Sequence, residues 1–166
     1  MGDEGIPVTD WQELAGDKLV DAAKAVEVVE LGDRVFLGTA CATPRILIQA
    51  LEKRCWEVPD VQLVHFLTDG AIIYEGDQPQ TSFKHRVFYV GTDSRQAVKL
   101  NQADYVPLSL AQLSNLVKNH QLLIDVAFVQ VSPPDEHGFV SLGVSVDIMR
   151  QIVRYAEKVV AEVNPH

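Results

Sequence analysis

The chain has 166 residues and a mass of 18.4 kDa, a length that favours one domain with its own hydrophobic core. Hydrophobic residues make up 47% of it and charged residues 22%, which excludes the collagen-like, low-complexity and wholly disordered classes. The formal net charge of −9 argues against a nucleic-acid partner, because binding to phosphate backbones requires a basic surface.

The sequence also argues against a membrane span, a secretory signal and a disulfide framework. No window approaches the roughly 20 apolar residues of a membrane-spanning helix, and the acidic start lacks a basic segment followed by an apolar run. Cys41 and Cys55 allow at most one bridge and lack the spacing of metal ligands. We therefore expect a cytoplasmic protein with reduced thiols, without a bound metal and without a membrane partner.

The first predicted elements are a helix and a strand. Residues 1–17 are acidic and contain glycine and proline, so we expect a flexible segment there, ahead of a domain that spans residues 18–166. From Lys18 apolar residues recur at helical spacing as far as Gly32, and the apolar residues 35–37 then predict a strand.

A second helix and strand follow. Thr43 is suited to be the N-cap and Pro44 the first helical residue, because the N–H that proline lacks is not needed there. The core face of this helix is predicted to carry Leu47, Ala50, Leu51 and Cys55. Residues 61–70 predict a buried strand ended by a turn, whereas residues 71–86 have no clean period and predict a long loop with at most one short strand.

The middle of the chain predicts a strand, a helix and another strand. The first strand is expected from Phe88, the helix near Thr92 or Asp93, and the second strand at residues 105–108. Ser109 is suited to cap the next helix, whose core face is predicted to carry Leu110, Leu113, Leu116 and Val117.

The last part of the chain completes an alternating pattern. The nearly continuous apolar run of residues 122–131 is typical of a central strand buried on both faces of a parallel sheet. A turn-rich loop follows, then a helix with the core face Ile148, Met149, Ile152, Val153 and Ala156, then a strand at residues 158–163. Strands that alternate with helices predict an open, mostly parallel α/β sheet with helices on both faces.

The loops that follow the strands are the first places to look for a ligand site, because open α/β sheets bind ligands beyond the carboxyl ends of their strands. The loop after Leu37 has small residues before a helix start, where a carboxylate or thioester oxygen could approach backbone N–H groups. Its residues are Gly38, Thr39, Ala40, Cys41, Ala42 and Thr43. The alternative is that small residues only pack a tight turn, and the glycine motifs of dinucleotide and triphosphate binding are missing.

The loop after Val131 places two carboxylates and a histidine on a turn stiffened by prolines. Its polar residues and its glycine are Ser132, Asp135, Glu136, His137 and Gly138. Such a group could orient a substrate or transfer protons. The alternative is a surface turn in which Asp135 binds its own backbone and His137 is solvated.

Three smaller features each have a functional and a structural interpretation. Cys41 could be a nucleophile near a helix start, or a small residue that fills a turn. His65 interrupts an apolar strand and is interpreted as a hydrogen-bonded interior histidine rather than a ligand. Lys84, His85 and Arg86 form a basic island that could meet a phosphate or carboxylate, or could be a solvated loop.

Several segments taken together resemble a known family. They are VFLGTACATPRILIQAL, FKHRVFYVGTDSRQAV, ADYVPLSL, VAFVQVSPPDEHGFVSLGVSVD and AEVNP. In this order they resemble the N-terminal domain of the acetyl-CoA hydrolase/transferase family, from about Lys18 to Pro165. The block that contains PPDEHG is the most specific of them.

The resemblance implies an enzyme of the class I CoA-transferase type, built from two α/β domains with the active site between them. It implies a glutamate nucleophile in the C-terminal domain, which attacks an acyl-CoA and passes through a glutamyl-CoA thioester. This chain would then hold no catalytic residue and no permanent cofactor. Its partners would be the C-terminal domain, an acyl-CoA and a small carboxylic acid. A different hypothesis is a non-catalytic module that binds an acyl-CoA or a carboxylate.

The resemblance also assigns residues to the cleft. Gly38 to Thr43 match a small-residue loop that faces the acyl group, and Ser132 to Gly138 match the most specific block. His85 and Arg86 match a segment of the F-x-H-R type. A face normally covered by a second domain should expose apolar residues, so self-association of the chain is an open possibility.

Overall fold

The computed structural model describes residues 11–72, 74–75, 78–79 and 82–165. Its strands are β1 Arg34–Leu37, β2 Gln62–His65, β3 Tyr74–Glu75, β4 Gln78–Pro79, β5 Lys84–Val87, β6 Ala103–Tyr105, β7 Val126–Val131 and β8 Lys158–Val163. Its α-helices are α1 Trp11–Ala15, α2 Ala22–Ala25, α3 Arg45–Glu52, α4 Arg95–Lys99, α5 Leu110–Lys118 and α6 Met149–Tyr155. Short 3₁₀ turns lie at Gly16–Lys18, Val26–Val28 and Ala40–Ala42.

Six of these strands form one open sheet in the order β6-β5-β2-β1-β7-β8. Every neighbouring pair in it is parallel, so the carboxyl ends of all six strands lie along one edge. β3 and β4, which lie between β2 and β5 in the sequence, form a separate antiparallel pair. The predicted parallel α/β sheet is therefore confirmed, and β7 is an interior strand with β1 on one side and β8 on the other.

Helices cover both faces of the sheet, as the sequence pattern predicts. Leu37 and Phe128 are fully buried on the face that packs against α2 and α3. Phe36 and Ile152 are fully buried on the opposite face, which packs against α5 and α6. Adjacent residues of β1 thus enter different cores, because side chains alternate across a strand. Burying each such side chain stabilises the fold by about 1.5–3 kcal/mol.

The predicted helix starts are confirmed in one case and wrong in another. Ser109 caps α5 in a full capping box, with the Gln112 amide accepting a hydrogen bond from the backbone N–H of Ser109. Thr43 is not the N-cap of α3, which begins at Arg45 with Pro44 in the cap position. The Thr43 hydroxyl instead donates to the Ala40 carbonyl at 2.7 Å, which closes the turn before the helix.

The sequence pattern allowed one short strand within residues 71–86 but did not locate β5. The basic residues 84–86 have a solvated loop as their structural interpretation, but Lys84–Val87 is an interior strand that pairs with β2 on one side and β6 on the other. His85 is buried and takes the place of an apolar core residue, so the alternation that marks a strand is hidden in the sequence. The solvated-loop interpretation of the basic island is therefore wrong.

The N-terminal part of the chain also differs in detail. The helix predicted from Lys18 is two short pieces, α2 and the turn Val26–Val28. Within the segment expected to be flexible, Trp11–Ala15 is helical, and residues 1–10 lie outside the described part. A groove of about 670 Å³ runs between α1 and β8, and Leu14 and Val159 are exposed along it. Among the described helices, none has the length and apolar character needed to cross a lipid bilayer.

Candidate functional site

Three connections meet at the carboxyl edge of the sheet. We call them the β1 loop (residues 38–43), the β2 loop (residues 66–71) and the β7 segment (residues 132–147). Because β1 lies between β2 and β7, the β1 loop is the centre of this group. Its backbone N–H groups at Gly38 and Ala40 donate to the carbonyls of Phe128 at 2.8 Å and Leu67 at 2.7 Å. The β1 loop is thus tied to both neighbours through its backbone.

Gly38 is required by close packing at the start of the β1 loop. A Cβ atom at this position would lie 2.7 Å from the Ala42 carbonyl oxygen and 3.1 Å from Pro44 Cδ. One of these atoms is backbone and the other belongs to a proline ring, so neither can turn aside as the end of a flexible side chain can. Gly38 therefore packs a tight turn, and a ligand role for it stays a prediction.

The β1 loop also contacts the β7 segment through side chains. The Thr39 hydroxyl donates to the Asp147 carboxylate, and Cys41 Sγ lies 3.0 Å from Ser145 Oγ. Ala40 and Asp147 both have left-handed backbones, with φ of +48° and +21°. Non-glycine residues in this region are strained and tend to cluster at ligand sites. The strain marks this junction as the candidate site.

A cavity of about 280 Å³ lies at this junction. Its polar lining comes from Cys41, Gln130, Ser132 and Asn164, and its apolar lining from Ala42, Val131, Leu142 and Val144, with Gly143 at one side. The lining is therefore apolar with a few polar groups, which is typical of a site for a small organic ligand. Of the twelve predicted site residues, the structure brings Cys41, Ala42 and Ser132 to this cavity.

The start of α3 is already capped by a carboxylate from the last strand. Glu162 Oε2 accepts hydrogen bonds from the backbone N–H groups of Ile46 at 2.9 Å and Leu47 at 3.1 Å. The second oxygen of Glu162 accepts from the Gln130 side chain at 3.1 Å. The expectation that helix-start N–H groups receive a ligand anion is wrong for these two groups, because Glu162 takes that place.

The PPDEHG segment forms a surface turn in which Asp135 binds nearby backbone groups, which is the alternative given from the sequence. Asp135 Oδ1 accepts from the backbone N–H groups of His137 at 2.9 Å and Phe139 at 2.8 Å. Gly138 has φ of +80° and donates its N–H to the Asp135 carbonyl. Asp135, His137 and Gly138 are exposed and lie outside the lining of the cavity, whereas Ser132 belongs to it. A ligand role for the three turn residues stays a prediction.

His65 is a hydrogen-bonded interior histidine, as expected. Its Nε2 lies 2.9 Å from Nδ1 of His85, and its Nδ1 lies 3.0 Å from the Thr68 hydroxyl. The Thr68 hydroxyl donates to Asp93 Oδ2 at 2.9 Å. Burial, together with the neighbouring His85, holds the pKa of His65 well below its ordinary value, and burial lowers the pKa of His85 to about 4. Both imidazoles are therefore neutral near pH 7.

The remaining predicted residues do not line the cavity. His85 lies in the sheet interior beside His65, and Arg86 is half-buried on the other face of β5 with Nε lacking a hydrogen-bond partner. Among the described residues, no group of three His, Cys, Asp or Glu side chains could hold a metal ion. Sequence reasoning missed Gln130, Asp147 and Asn164, although Asp147 stands at the end of the SLGVSVD block.

The family of the chain follows from its sequence as a whole. Residues 9–166 match the model of the acetyl-CoA hydrolase/transferase N-terminal domain. The chain belongs to this family. The loops that form the candidate site are the same segments on which the resemblance rests.

Two relatives in the acetyl-CoA hydrolase/transferase family illustrate the similarity. The 4-hydroxybutyrate coenzyme A transferase of Clostridium kluyveri is 37% identical over 155 residues, which are 93% of this chain and 36% of that protein. The butyryl-CoA:acetate CoA-transferase of Anaerostipes caccae is 32% identical over 155 residues, or 93% of this chain and 35% of that protein. The chain thus spans little more than a third of the length of these relatives.

Solved structures show the same architecture. RipA from Yersinia pestis superposes with a TM-score of 0.78 at 27% sequence identity, over 93% of this chain and 38% of that one. The 4-hydroxybutyrate CoA-transferase of Porphyromonas gingivalis superposes with a TM-score of 0.66 at 26% identity, over 93% of this chain and 35% of that one. The α/β fold is therefore shared with RipA and with this 4-hydroxybutyrate CoA-transferase.

Proposed function

We propose that this chain is the N-terminal, substrate-cleft domain of an enzyme that moves CoA between an acyl-CoA and a small carboxylic acid. The proposal is carried by the cavity at the junction of the β1 loop and the β7 segment, which is built from the segments that identify the family. CoA-transferases of two different acids are at least 32% identical to it. The shared chemistry is CoA transfer, and the acids differ between the relatives.

The cavity suits the acid rather than the nucleotide part of CoA. Its volume of about 280 Å³ lies just below the roughly 300–1,000 Å³ of most small-molecule pockets. Gln130 and Asn164 supply side-chain amides, whose N–H groups are of the kind that binds a carboxylate or a thioester oxygen. The Ser132 hydroxyl shapes the wall of the cavity instead, because it donates to the Pro133 carbonyl and accepts from the Ser141 N–H. Val144 and Leu142 supply apolar surface for a short acyl chain.

The covalent steps are assigned to a glutamate of the C-terminal domain. Its carboxylate attacks the thioester carbonyl, the CoA thiolate leaves, and an acyl-glutamyl anhydride forms. The thiolate then attacks the glutamyl carbonyl and releases the first acid, which leaves a glutamyl-CoA thioester. The acceptor carboxylate attacks this thioester and displaces the CoA thiolate, which gives a second anhydride. The thiolate then attacks the acyl carbonyl of that anhydride, which releases the new acyl-CoA and regenerates the glutamate.

Within this chain, the groups at the cavity bind and orient and do not form the covalent bond. Cys41 Sγ contacts a serine hydroxyl rather than a base, and the Glu162 carboxylate is occupied by the start of α3. An activated nucleophile needs an adjacent base or a lowered pKa. We therefore expect the isolated chain to be inactive in CoA transfer.

The test compares the chain alone with the chain supplied with a C-terminal domain of the family as a second polypeptide. Transfer from acetyl-CoA to butyrate or 4-hydroxybutyrate is followed by chromatography of the acyl-CoA products. We expect no turnover from either polypeptide alone and turnover from the mixture. Turnover by this chain alone would contradict the assignment of the nucleophile to the other domain.

A second function is favoured by the same cavity. A site with polar groups but without a nucleophile–base pair would also suit a module that binds an acyl-CoA or a carboxylate without catalysis. Calorimetry of the chain with acetate and acetyl-CoA measures this binding. Binding without turnover in the complementation assay would select the binding module, and turnover would select the transferase.

A further inference from the structure

A buried hydrogen-bond network of four side chains links β5, β2 and the segment before α4. His85 Nδ1 lies 2.9 Å from His65 Nε2, and His65 Nδ1 lies 3.0 Å from Thr68 Oγ1. The Thr68 hydroxyl is 2.9 Å from Asp93 Oδ2. His65, His85 and Thr68 are all at most 5% exposed, so water does not compete for these hydrogen bonds.

The donor and the acceptor of each hydrogen bond in this network follow from counting protons. A hydroxyl has one proton, and the Thr68 hydroxyl donates it to Asp93. Thr68 Oγ1 must then accept from His65, so His65 carries its proton on Nδ1. A neutral His65 has no proton on Nε2, so this nitrogen accepts from Nδ1–H of His85. Each donor points toward the Asp93 carboxylate.

Asp93 is the final acceptor of the hydrogen-bond network. Its Oδ2 accepts a second hydrogen bond, from the backbone N–H of Ala71 at 3.2 Å. Burial raises the pKa of Asp93, while the hydrogen bonds from Thr68, Ala71 and Ser94 lower it and offset part of that rise. Two donors therefore meet at one oxygen, which requires an acceptor at that position.

The same residues hold the β2 loop against the candidate site. Thr68 and Ala71 both belong to the β2 loop and both bind Asp93. Within this loop, the Leu67 carbonyl accepts from Ala40 at 2.7 Å, and the Asp69 N–H donates to the Thr43 hydroxyl at 3.2 Å. Asp93 is thus connected to the β1 loop through two backbone contacts of the β2 loop.

We propose that Asp93 is a positioning residue which, through Thr68, sets the tautomers of the buried His65–His85 pair and anchors the β2 loop beside the β1 loop. Both histidines carry their proton on Nδ1 in this arrangement. This assignment does not depend on the proposed transferase function, since it concerns the folded chain without substrate.

The first test reads the tautomers directly in the unmodified chain. Two-bond proton–nitrogen correlation spectra of the ¹⁵N-labelled chain at pH 7 distinguish protonated from unprotonated ring nitrogens, with signals assigned from His65→Gln and His85→Gln. We expect unprotonated Nε2 and protonated Nδ1 in both residues. A proton on His65 Nε2, a mixture of tautomers or a charged ring in either residue would overturn the proposal.

The second test changes the acceptor. Among the described residues, the Thr68 hydroxyl bonds to His65 Nδ1 and Asp93 Oδ2, so in Asp93→Leu His65 Nδ1 remains as its acceptor. The hydrogen bonds should then reverse, and both histidines should carry their proton on Nε2. Asp93→Asn is the matched control, because its amide oxygen can accept from Thr68 and from the Ala71 N–H, and it should keep the original tautomers. Original tautomers in folded Asp93→Leu, or reversed ones in Asp93→Asn, would overturn the proposal.

Anchoring of the β2 loop has its own readout. Loss of the hydrogen bond to Asp93 should speed amide exchange of Ala71 by about ten-fold in Asp93→Leu, while buried amides of β7 stay within two-fold. Unchanged exchange at Ala71 would contradict the anchoring role. If Asp93→Leu does not fold, the tautomers of the wild type and of Asp93→Asn still decide the first part of the proposal.

Discussion

Glu162 Oε2 lies 2.9 Å from the backbone nitrogen of Ile46, so the last strand of the sheet supplies the cap for α3. The same oxygen accepts from Leu47, and Pro44 at the N-cap has no side-chain acceptor to offer. A carboxylate at this position also interacts favourably with the positive end of the helix dipole. The contact joins residues 116 positions apart and fastens β8 to the helix that follows the β1 loop.

Removal of this cap should destabilise the whole domain. Glu162→Ala leaves the backbone N–H groups of Ile46 and Leu47 without their acceptor, and we expect the free energy of unfolding in urea to fall by about 1–3 kcal/mol. Glu162→Gln keeps an acceptor oxygen and should lose less. Glu157→Gln, an exposed substitution beside β8, serves as control and should stay within about 0.5 kcal/mol of the wild type. Equal stabilities of Glu162→Ala and the control would contradict the capping role.

Gly38→Ala should also be strongly destabilising. The new Cβ would sit 2.7 Å from the Ala42 carbonyl oxygen, and relief requires the β1 loop to move. We expect a loss of about 1–3 kcal/mol in thermal or urea unfolding. Gly91→Ala is the comparison, since its Cβ would meet Leu67 Cδ1 at 3.1 Å, the end of a flexible side chain, and should cost less. A larger loss at Gly91 than at Gly38 would contradict this explanation.

The ion pair at the other end of β1 should make a pH-dependent contribution. Burial of Asp125 by itself raises the pKa of its carboxyl, but hydrogen bonds from the Arg34 side chain and backbone outweigh it and hold the pKa below the ordinary value. A lowered pKa stabilises the folded state at higher pH, and this contribution is lost as the pH falls through the folded-state pKa. A double-mutant cycle of Arg34→Met and Asp125→Asn should show a coupling of about 1 kcal/mol at pH 7. The coupling should shrink below pH 4, and one that persisted there unchanged would contradict the assignment.

The buried histidine pair should make the domain lose stability in mild acid. The pKa of His85 is lowered to about 4, so below its ordinary value of 6.5 the unfolded state binds a proton that the folded state does not. Stability attributable to His85 should therefore fall between pH 6.5 and about 4, by up to about 1.4 kcal/mol per pH unit. His65, whose pKa is lowered as well, acts in the same direction. In His85→Gln the slope of unfolding free energy against pH over 5.5–6.5 should be smaller than in the wild type, and equal slopes would contradict the prediction.

The Thr39 hydroxyl should matter more for ligand binding than for folding. Its hydrogen bond to Asp147 holds the β1 loop against the β7 segment, where both backbones are strained. Thr39→Val keeps the shape but removes the donor, and we expect at least a ten-fold loss in turnover of the complemented enzyme, equivalent to about 1.4 kcal/mol. Thr92→Val, an exposed threonine outside the site, is the control and should retain full activity. Full activity of Thr39→Val would show that this contact does not shape the site.

The elements that could be predicted from the sequence are those whose signal is local. Ser109 and Gln112 form a capping box over neighbouring residues, and the strand predicted at residues 158–163 is the observed β8. Apolar periodicity, a capping residue and a turn proline act within a few positions of one another. The family could be recognised for a related reason, since whole segments of sequence keep their order.

The tertiary structure decided what depends on residues far apart. β5 could not be located within residues 71–86, because a core position of this strand is taken by His85, which is buried against His65. The β1 loop was predicted to offer helix-start N–H groups, yet Glu162 from the far end of the chain occupies them. Such pairings arise when parallel strands bring their carboxyl ends to one edge, so their partners are set by sheet order and not by spacing along the chain. Local sequence determined the elements with a strong local signal, such as α5 and β8, and the order of strands in the sheet determined the site.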